Sequence, residues 1–143
     1  MKVLVATDAE SSRELVDALR ARKWSEKDSF LIVSVLDSSE VPYLERRQLG
    51  TKYLQQVESV AHDLQATFPK SRVTANVLTG LTAEAIADEA AQWQADLIVI
   101  GSHHKRGLTR LLEGSISESV MKASKCSIML VPVGTTEAAC QSV

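Results

Sequence analysis

The chain has 143 residues, of which 45% are hydrophobic and 24% are charged, and its 16 basic and 18 acidic side chains give a formal net charge of −2. A chain of this length is expected to form one domain with a core large enough to need no disulfide or metal. The near-neutral charge argues against nucleic acid or an anionic membrane as the main partner. The hydrophobic content is too high for a disordered protein.

Neither a membrane-spanning segment nor an export signal is expected from the sequence. No unbroken apolar run exceeds four residues, far fewer than the ~20 that a membrane-spanning helix requires. Residues 1–8 have the pattern of a strand rather than of a secretory signal. The two cysteines, Cys126 and Cys140, are not spaced as a metal-binding or CxxC pair. We therefore predict a cytoplasmic protein with two reduced thiols.

Five apolar segments predict strands. Four of them, residues 3–6, 30–33, 97–100 and 128–131, are rich in β-branched side chains and do not alternate with polar residues. Such runs are typical of strands buried on both faces of a parallel sheet. The fifth segment, residues 73–78, alternates between apolar and polar side chains. This alternation predicts a strand with one wetter face, at an edge of the sheet.

Helical patterns separate the strands. Residues 11–14 have the Ser-x-x-Glu spacing of a capping box, Thr82 is a candidate N-cap, and a second capping box begins at Ser115. Residues 37–50 have no clear period and are predicted to form a loop or irregular helix. The apolar residues that recur at helical spacing are Leu15, Val16 and Leu19 in the first helix, Tyr53, Val57, Val60, Ala61 and Leu64 in the second, and Ala83, Ile86, Ala87, Ala90 and Trp93 in the third.

The alternation of strands and helices predicts an α/β fold, in which an open parallel five-stranded sheet has helices on both faces. We expect a single domain over residues 1–133 and a flexible C-terminal tail over residues 134–143. Open parallel sheets bind ligands beyond the carboxyl ends of their strands, where the strand order reverses. The residues that follow the strands are therefore the candidates for a binding site.

Two of these segments contain features of a phosphate site. Asp8 follows the first strand, and the fourth strand leads into Gly101, a loop with Lys105 and Arg106, and a helix start at Gly114. Glycine permits close approach of the backbone, and a helix start offers free amides to an anion. The sequence lacks both Gly-x-x-x-x-Gly-Lys-Ser/Thr and Gly-x-Gly-x-x-Gly. Spacing alone leaves two alternatives open, namely a phosphate site, or turn glycines, a solvated basic rim and an ordinary helix cap.

The sequence as a whole resembles the universal stress protein family. The resemblance rests on Val3-Leu4-Val5-Ala6-Thr7-Asp8 and on residues 80–101, 101–118 and 130–132. The ATP-binding branch of that family has the motif Gly-x2-Gly-x9-Gly-Ser/Thr, and the matching positions here are Gly101, His104 and Gly114-Ser115. The resemblance implies a three-layer, Rossmann-like fold of the adenine nucleotide alpha hydrolase type, with strand order 3-2-1-4-5.

The resemblance also implies a function. It predicts a regulatory protein that binds ATP or AMP, with or without Mg²⁺, at the carboxyl ends of strands 1 and 4. It further implies a homodimer through the last strand and a protein partner of unknown identity. The implied nucleotide-binding residues are Ala6, Thr7, Asp8 and Val35 at the adenine and ribose, Gly101, His103 and His104 at the phosphates, and Gly114, Ser115, Ile116 and Ser117 around the phosphates at the helix start.

His104 departs from the family motif, which has glycine there. If this position needs a positive φ, a non-glycine residue costs roughly 1–2 kcal/mol, which weakens binding about tenfold. The imidazole could donate to a phosphate or occupy the phosphate site. We therefore expect reduced nucleotide affinity, and the alternative is a dimeric interaction module of the same family that binds no nucleotide.

Enzymatic activity beyond slow ATP hydrolysis is not predicted, because no nucleophile and base have a convincing spacing. His62, His103 and His104 have no carboxylate spaced to complete a metal site, so no metal ligand is assigned. The basic residues Lys105, Arg106 and Arg110 lack the interleaved aromatic residues that stack on RNA bases.

Overall fold

The strands form one parallel sheet. A computed structural model describes residues 1–8, 10–103 and 116–133. The strands β1 (Lys2–Ala6), β2 (Ser29–Asp37), β3 (Arg72–Gly80), β4 (Leu97–His103) and β5 (Ser127–Val133) pair in parallel in the order β3-β2-β1-β4-β5. The predicted α/β fold and strand order are confirmed, and so is the edge position of β3.

Helices cover both faces of this sheet. They are α1 (Ser12–Arg20), α2 (Arg46–Thr67), α3 (Thr82–Trp93) and α4 (Ile116–Ala123), with a single 3-10 turn at Tyr43–Glu45 before α2. Buried residues of α1 and α2 pack on one face, and those of α3 and α4 pack on the other. Because side chains alternate along each strand, the central strands supply apolar residues to both cores.

Phe30 is the largest fully buried side chain in the core beneath α1 and α2. Its ring meets Trp24 edge-on at a centroid distance of 5.3 Å and stacks on Phe68 at 5.4 Å. The indole N–H of Trp24 donates to the carbonyl of Leu19 at 2.8 Å. Trp24 therefore packs in this core, and its one polar atom is hydrogen-bonded.

The structure corrects three predictions about helix starts. The Ser11 hydroxyl makes no hydrogen bond within α1, so the first capping box is absent, and this hydroxyl accepts from the amide of Asp8 instead. Leu81 is the N-cap of α3, and Thr82 is its first helical residue. The second helix starts at Arg46, so Gly50 lies inside it. The cost of one interior glycine, about 1 kcal/mol, is small beside the burial that a 22-residue helix provides.

Several predictions lie outside the described residues. These are the C-terminal tail with Cys140, the second capping box at Ser115, and the basic loop residues Lys105, Arg106 and Arg110. Cys126 is half-buried and forms no disulfide within the described chain. In the described ranges, no helix combines the length and the apolar character needed to cross a bilayer.

Candidate functional site

The order of the sheet reverses between β1 and β4. Ala6 of β1 lies opposite Ile100 of β4, so Thr7 and Gly101 follow at the same level. The helix after β1 packs on one face of the sheet, and the helix after β4 packs on the other. The two helices therefore lie on opposite faces of the sheet at this reversal, which is where a parallel sheet of this topology is expected to have a binding crevice. Two of the predicted segments, residues 6–8 and residue 101, meet at this crevice.

Gly101 has a packing reason for being glycine. A Cβ atom at this position would lie 2.9 Å from Val133 Cγ2 and 3.1 Å from Ser11 Cβ. These distances are shorter than the roughly 3.5–4.0 Å of a carbon–carbon contact. The missing side chain thus allows the start of α1 and the end of β5 to approach β4. The space beside the Gly101 Cα is filled by protein atoms.

A compact hydrogen-bonded turn follows β1. The carboxylate atom Oδ1 of Asp8 accepts from the amides of Glu10 at 2.9 Å and Ser11 at 2.8 Å. The Ser12 hydroxyl donates to the carbonyl of Asp8 at 2.8 Å and lies 2.9 Å from the Thr7 hydroxyl. Asp8 is exposed, whereas Thr7 is 93% buried, with 7% of its surface accessible. The Asp8 carboxylate therefore serves as the anion at the start of α1.

Val35 lies on β2, the strand next to this turn. Thr7 donates its amide to the carbonyl of Val33 at 2.8 Å, which continues the pairing of β1 with β2 by one residue. By this register, Val35 is level with Asp8. Val35 packs, half-buried, against the core beneath α3 and α4. The structure therefore brings residues 6–8, Val35 and Gly101 together at the carboxyl ends of the strands.

The remaining predicted site residues follow β4. His103 is the last residue of that strand, and Ile116 and Ser117 open α4. Ile116 is 48% exposed, and Ser117 is half-buried. His104, Gly114 and Ser115 lie outside the described residues.

Sequence reasoning missed Asp37, the last residue of β2. Its Oδ1 accepts from the Ser39 amide at 2.9 Å and the Ser39 hydroxyl at 2.6 Å, and its Oδ2 accepts from the Thr82 hydroxyl at 3.1 Å. The pKa of Asp37 lies below its ordinary value of 3.8. The main cause is the hydrogen bond from the Ser39 hydroxyl, and the hydrogen bonds from the Ser39 amide and from Thr82 add to it. The Asp-x-Ser pattern at residues 37–39 is a local signal of such a turn. The contact with Thr82 has no local signal.

The described residues form a concavity at the opposite end of the sheet. It has a volume of about 830 Å³ and is formed by the last turns of α3 and α4 and the start of β5. A smaller one of about 320 Å³ lies between α1 and α2. Neither of these two concavities is lined by the predicted site residues. Across residues 1–8, 10–103 and 116–133, no three His, Cys, Asp or Glu side chains are grouped to hold a metal ion.

Comparison with known proteins gives the family. The model of the universal stress protein family matches residues 1–132 of this chain. The chain belongs to the universal stress protein family. The resemblance found in the sequence is thereby confirmed.

Named relatives share only part of their length with this universal stress protein. It is 32% identical to universal stress protein MJ0531 of Methanocaldococcus jannaschii over 85 residues, which are 59% of this chain and 47% of the relative. It is 40% identical to universal stress protein A homolog 2 of Coxiella burnetii over 48 residues, which are 34% of this chain and 32% of the relative. The matches thus span about half or less of these relatives.

Solved structures share the whole fold. Hypothetical protein MJ0577 superposes with a TM-score of 0.76 at 25% identity, over 94% of this chain and 97% of that one. A universal stress protein solved with cAMP has a TM-score of 0.63 at 18% identity, over 94% and 98% of the two chains. The universal stress protein from Archaeoglobus fulgidus, solved with dAMP, has a TM-score of 0.61 at 18% identity, over 92% of this chain and 97% of that one. A universal stress protein family protein from Arabidopsis thaliana, solved with AMP, has a TM-score of 0.63 at 18% identity, over 96% of this chain and 94% of that one.

Proposed function

We propose that this universal stress protein binds an adenine nucleotide, ATP or AMP, with or without Mg²⁺, in the crevice between the carboxyl ends of β1 and β4. The observation that carries the proposal is the meeting of residues 6–8 and Gly101 at the point where the strand order reverses. Similar chains of the family are solved with AMP, dAMP and cAMP, which supports adenine nucleotide as the ligand.

The charges at the two helix starts favour one orientation of the nucleotide. At α1 the Asp8 carboxylate already accepts from the amides of Glu10 and Ser11, so that helix start is neutralised. The start of α4 at Ile116 has one acid in its first turn, Glu118, so its dipole still favours an anion, but less than an uncharged first turn would. We therefore place the phosphates beside Ile116 and Ser117, with His103, His104, Gly114 and Ser115 around them.

The base and ribose then lie on the β1–β2 side of the crevice. Ala6, Thr7 and Asp8 would line one side with their backbone, and Val35 would line the other. Because Asp8 is exposed, its carboxylate can face a ribose hydroxyl, or a Mg²⁺ ion that bridges it to the phosphates. The protein's role is then to signal nucleotide occupancy to a protein partner.

Calorimetric titration with AMP and with ATP, each with and without Mg²⁺, tests this proposal. Two substitutions at His104 separate its roles, because His104→Ala removes the imidazole and His104→Gly also removes the Cβ atom. A gain in affinity for His104→Gly alone indicates backbone strain. A loss for His104→Ala indicates a hydrogen bond to phosphate. His62→Ala, at an exposed position of α2, is the control. No heat with any nucleotide, even for His104→Gly, would remove the proposal.

A second candidate function is a dimeric interaction module without a nucleotide. The packing of Gly101 favours it, because the close contacts with Ser11 and Val133 account for a glycine at this position without a phosphate. Both candidates use a homodimer through β5, which in the described sheet has a strand neighbour on one side only. Leu130 of β5 is 44% exposed, and Leu54 of α2 is a control of similar exposure at 41%.

Sedimentation velocity tests the dimer. Leu130→Lys is expected to give a monomer, and Leu54→Lys is expected to leave the dimer intact, because only the first places a charge on the β5 edge. Equal sedimentation of both variants and the unaltered protein contradicts the proposed interface. We further propose a cytoplasmic location, which Cys126 fits because it forms no disulfide among the described residues, and a domain over residues 1–133 followed by a tail.

A further inference from the structure

The loop between β2 and α2, residues 38–45, is tied to the body of the protein at both ends. At its start, the carboxylate of Asp37 accepts from Ser39 and from Thr82, the first residue of α3. The amide of Ser38 also donates to the carbonyl of Gly80 at 3.3 Å. The start of this loop is therefore fixed to the end of β3 and the beginning of α3.

The end of the loop is tied by Arg46. Its Nη2 donates to the carbonyl of Ser38 at 2.9 Å, and its Nε donates to the carbonyl of Val41 at 3.2 Å. Its guanidinium also lies 5.6 Å from the centre of the Tyr43 ring. One half-buried side chain thus holds three parts of the loop. The planar, five-donor guanidinium suits this arrangement, whereas a lysine ammonium has no equivalent fork.

The same loop exposes large apolar side chains to solvent. Tyr43 is 80% exposed, and Leu44 is 91% exposed. Core packing thus contributes little to the order of the loop, and its conformation depends on the bonds to Asp37 and Arg46. A loop that is ordered before binding spares its ligand the entropy of ordering it.

The position of Asp37 connects this loop with the proposed base site. Val35 and Asp37 are two residues apart on β2, so both side chains lie on the face that carries α3. Val35 is level with Asp8 by the strand register. The loop that begins at residue 38 therefore continues from the strand that carries Val35, on the side of the crevice where we place the base.

We propose that Asp37 and Arg46 are positioning residues that hold the 38–45 loop as a preformed wall for the base of the nucleotide. This inference rests on the proposed adenine nucleotide site. The two residues act on the loop and do not touch the ligand. They determine how strongly the base, rather than the sugar phosphate, contributes to binding.

Substitutions can weaken each tie while keeping the shape of the side chain. In Asp37→Asn, the amide oxygen can still accept from Ser39, but the NH₂ group can only donate to the Thr82 hydroxyl, so a neutral bond replaces the charge-assisted one. Arg46→Lys keeps the charge and removes the fork. Two matched controls, Asp63→Asn and Arg47→Lys, make the same chemical changes at exposed positions of α2 where no side-chain bond is described.

The experiment compares AMP with ribose 5-phosphate, which lacks the base, by calorimetry. For Asp37→Asn and Arg46→Lys we expect AMP affinity to fall about tenfold, as for the loss of one strong hydrogen bond, and ribose 5-phosphate affinity to stay within twofold. Amide hydrogen exchange at Ser39, without ligand, is expected to quicken at least tenfold. The controls should match the unaltered protein in all three measurements.

A merely structural role would lower both affinities together, and this result overturns the inference. Unchanged AMP affinity in both variants overturns it as well. If the unaltered protein binds neither ligand, the proposed function itself is contradicted, and the inference fails with it. These outcomes are distinct, because only the last one removes binding from the unaltered protein.

Discussion

Substitution of Gly101 by alanine tests the close approach of α1 to β4. The new methyl group would need to move at least about 0.6 Å from Val133 Cγ2 and 0.4 Å from Ser11 Cβ to reach an ordinary contact. Overpacking of this kind costs about 1–3 kcal/mol, which for a chain of this length lowers Tm by about 3–12 °C. Because Ser11 is bonded to Asp8, the shift should also disturb the turn after β1.

Gly50→Ala is a matched control for this substitution. No atom outside its own helix backbone and chain neighbours lies within 4 Å of the position a Cβ would take at Gly50, and the residue is inside α2. Alanine there should raise stability by about 0.5–1 kcal/mol. Thermal unfolding followed by circular dichroism measures both variants, and hydrogen exchange at the Glu10 and Ser11 amides reports on the turn. A Gly101→Ala protein as stable as the unaltered one, with unchanged exchange, would refute the packing argument.

Three other substitutions test the fold. Gly80 has φ +137°, so Gly80→Ala should cost about 1–3 kcal/mol in urea unfolding. Phe30→Ala should cost about 3–5 kcal/mol, since its ring is fully buried between Trp24 and Phe68. Burial raises the pKa of Asp28, but hydrogen bonds from the Met1 ammonium and the Ser25 amide outweigh it and leave the pKa below 3.8. Asp28→Asn should therefore cost about 1–3 kcal/mol at neutral pH, and this difference from the unaltered protein should shrink as pH falls through the lowered pKa. A pH-independent difference contradicts the ion pair.

The sequence predicts the strands well because most of them are buried on both faces. Residues 97–100 can be read as a central strand from their apolar, β-branched character alone. The edge position of β3 follows from its alternation, which the structure shows as alternating exposure along Arg72–Gly80. The full strand order came from the family resemblance, because spacing does not specify which strands are neighbours.

Helix starts were predicted less well because the hydroxyls concerned bond to residues that precede the helix and not to residues within it. The Thr82 hydroxyl donates to Asp37, 45 residues earlier, so it is not available to cap its own helix. The Ser11 hydroxyl is engaged by the amide of Asp8. A capping rule considers the residues that follow the cap, so it includes neither the preceding Asp8 nor the distant Asp37.

The candidate site was predicted only in part for a related reason. The sequence indicates that residues 6–8 and Gly101 lie at the carboxyl ends of strands, and the family resemblance implies that these strands are neighbours, as the pairing of β1 with β4 shows. The need for glycine at residue 101 comes from Ser11 and Val133, which are remote from it along the chain. The roles of Asp37 and Arg46 likewise depend on which loops the fold brings together.

Nuclear magnetic resonance of the ¹⁵N-labelled protein, titrated with AMP, tests the central claim most directly. Binding in the proposed crevice predicts saturable shifts of the amides of Thr7, Asp8, Val35, Gly101 and Ser117. The amide resonances of residues 123–127, around the concavity at the opposite end of the sheet, should not shift. Shifts confined to that opposite end, or none at millimolar AMP, would contradict the account.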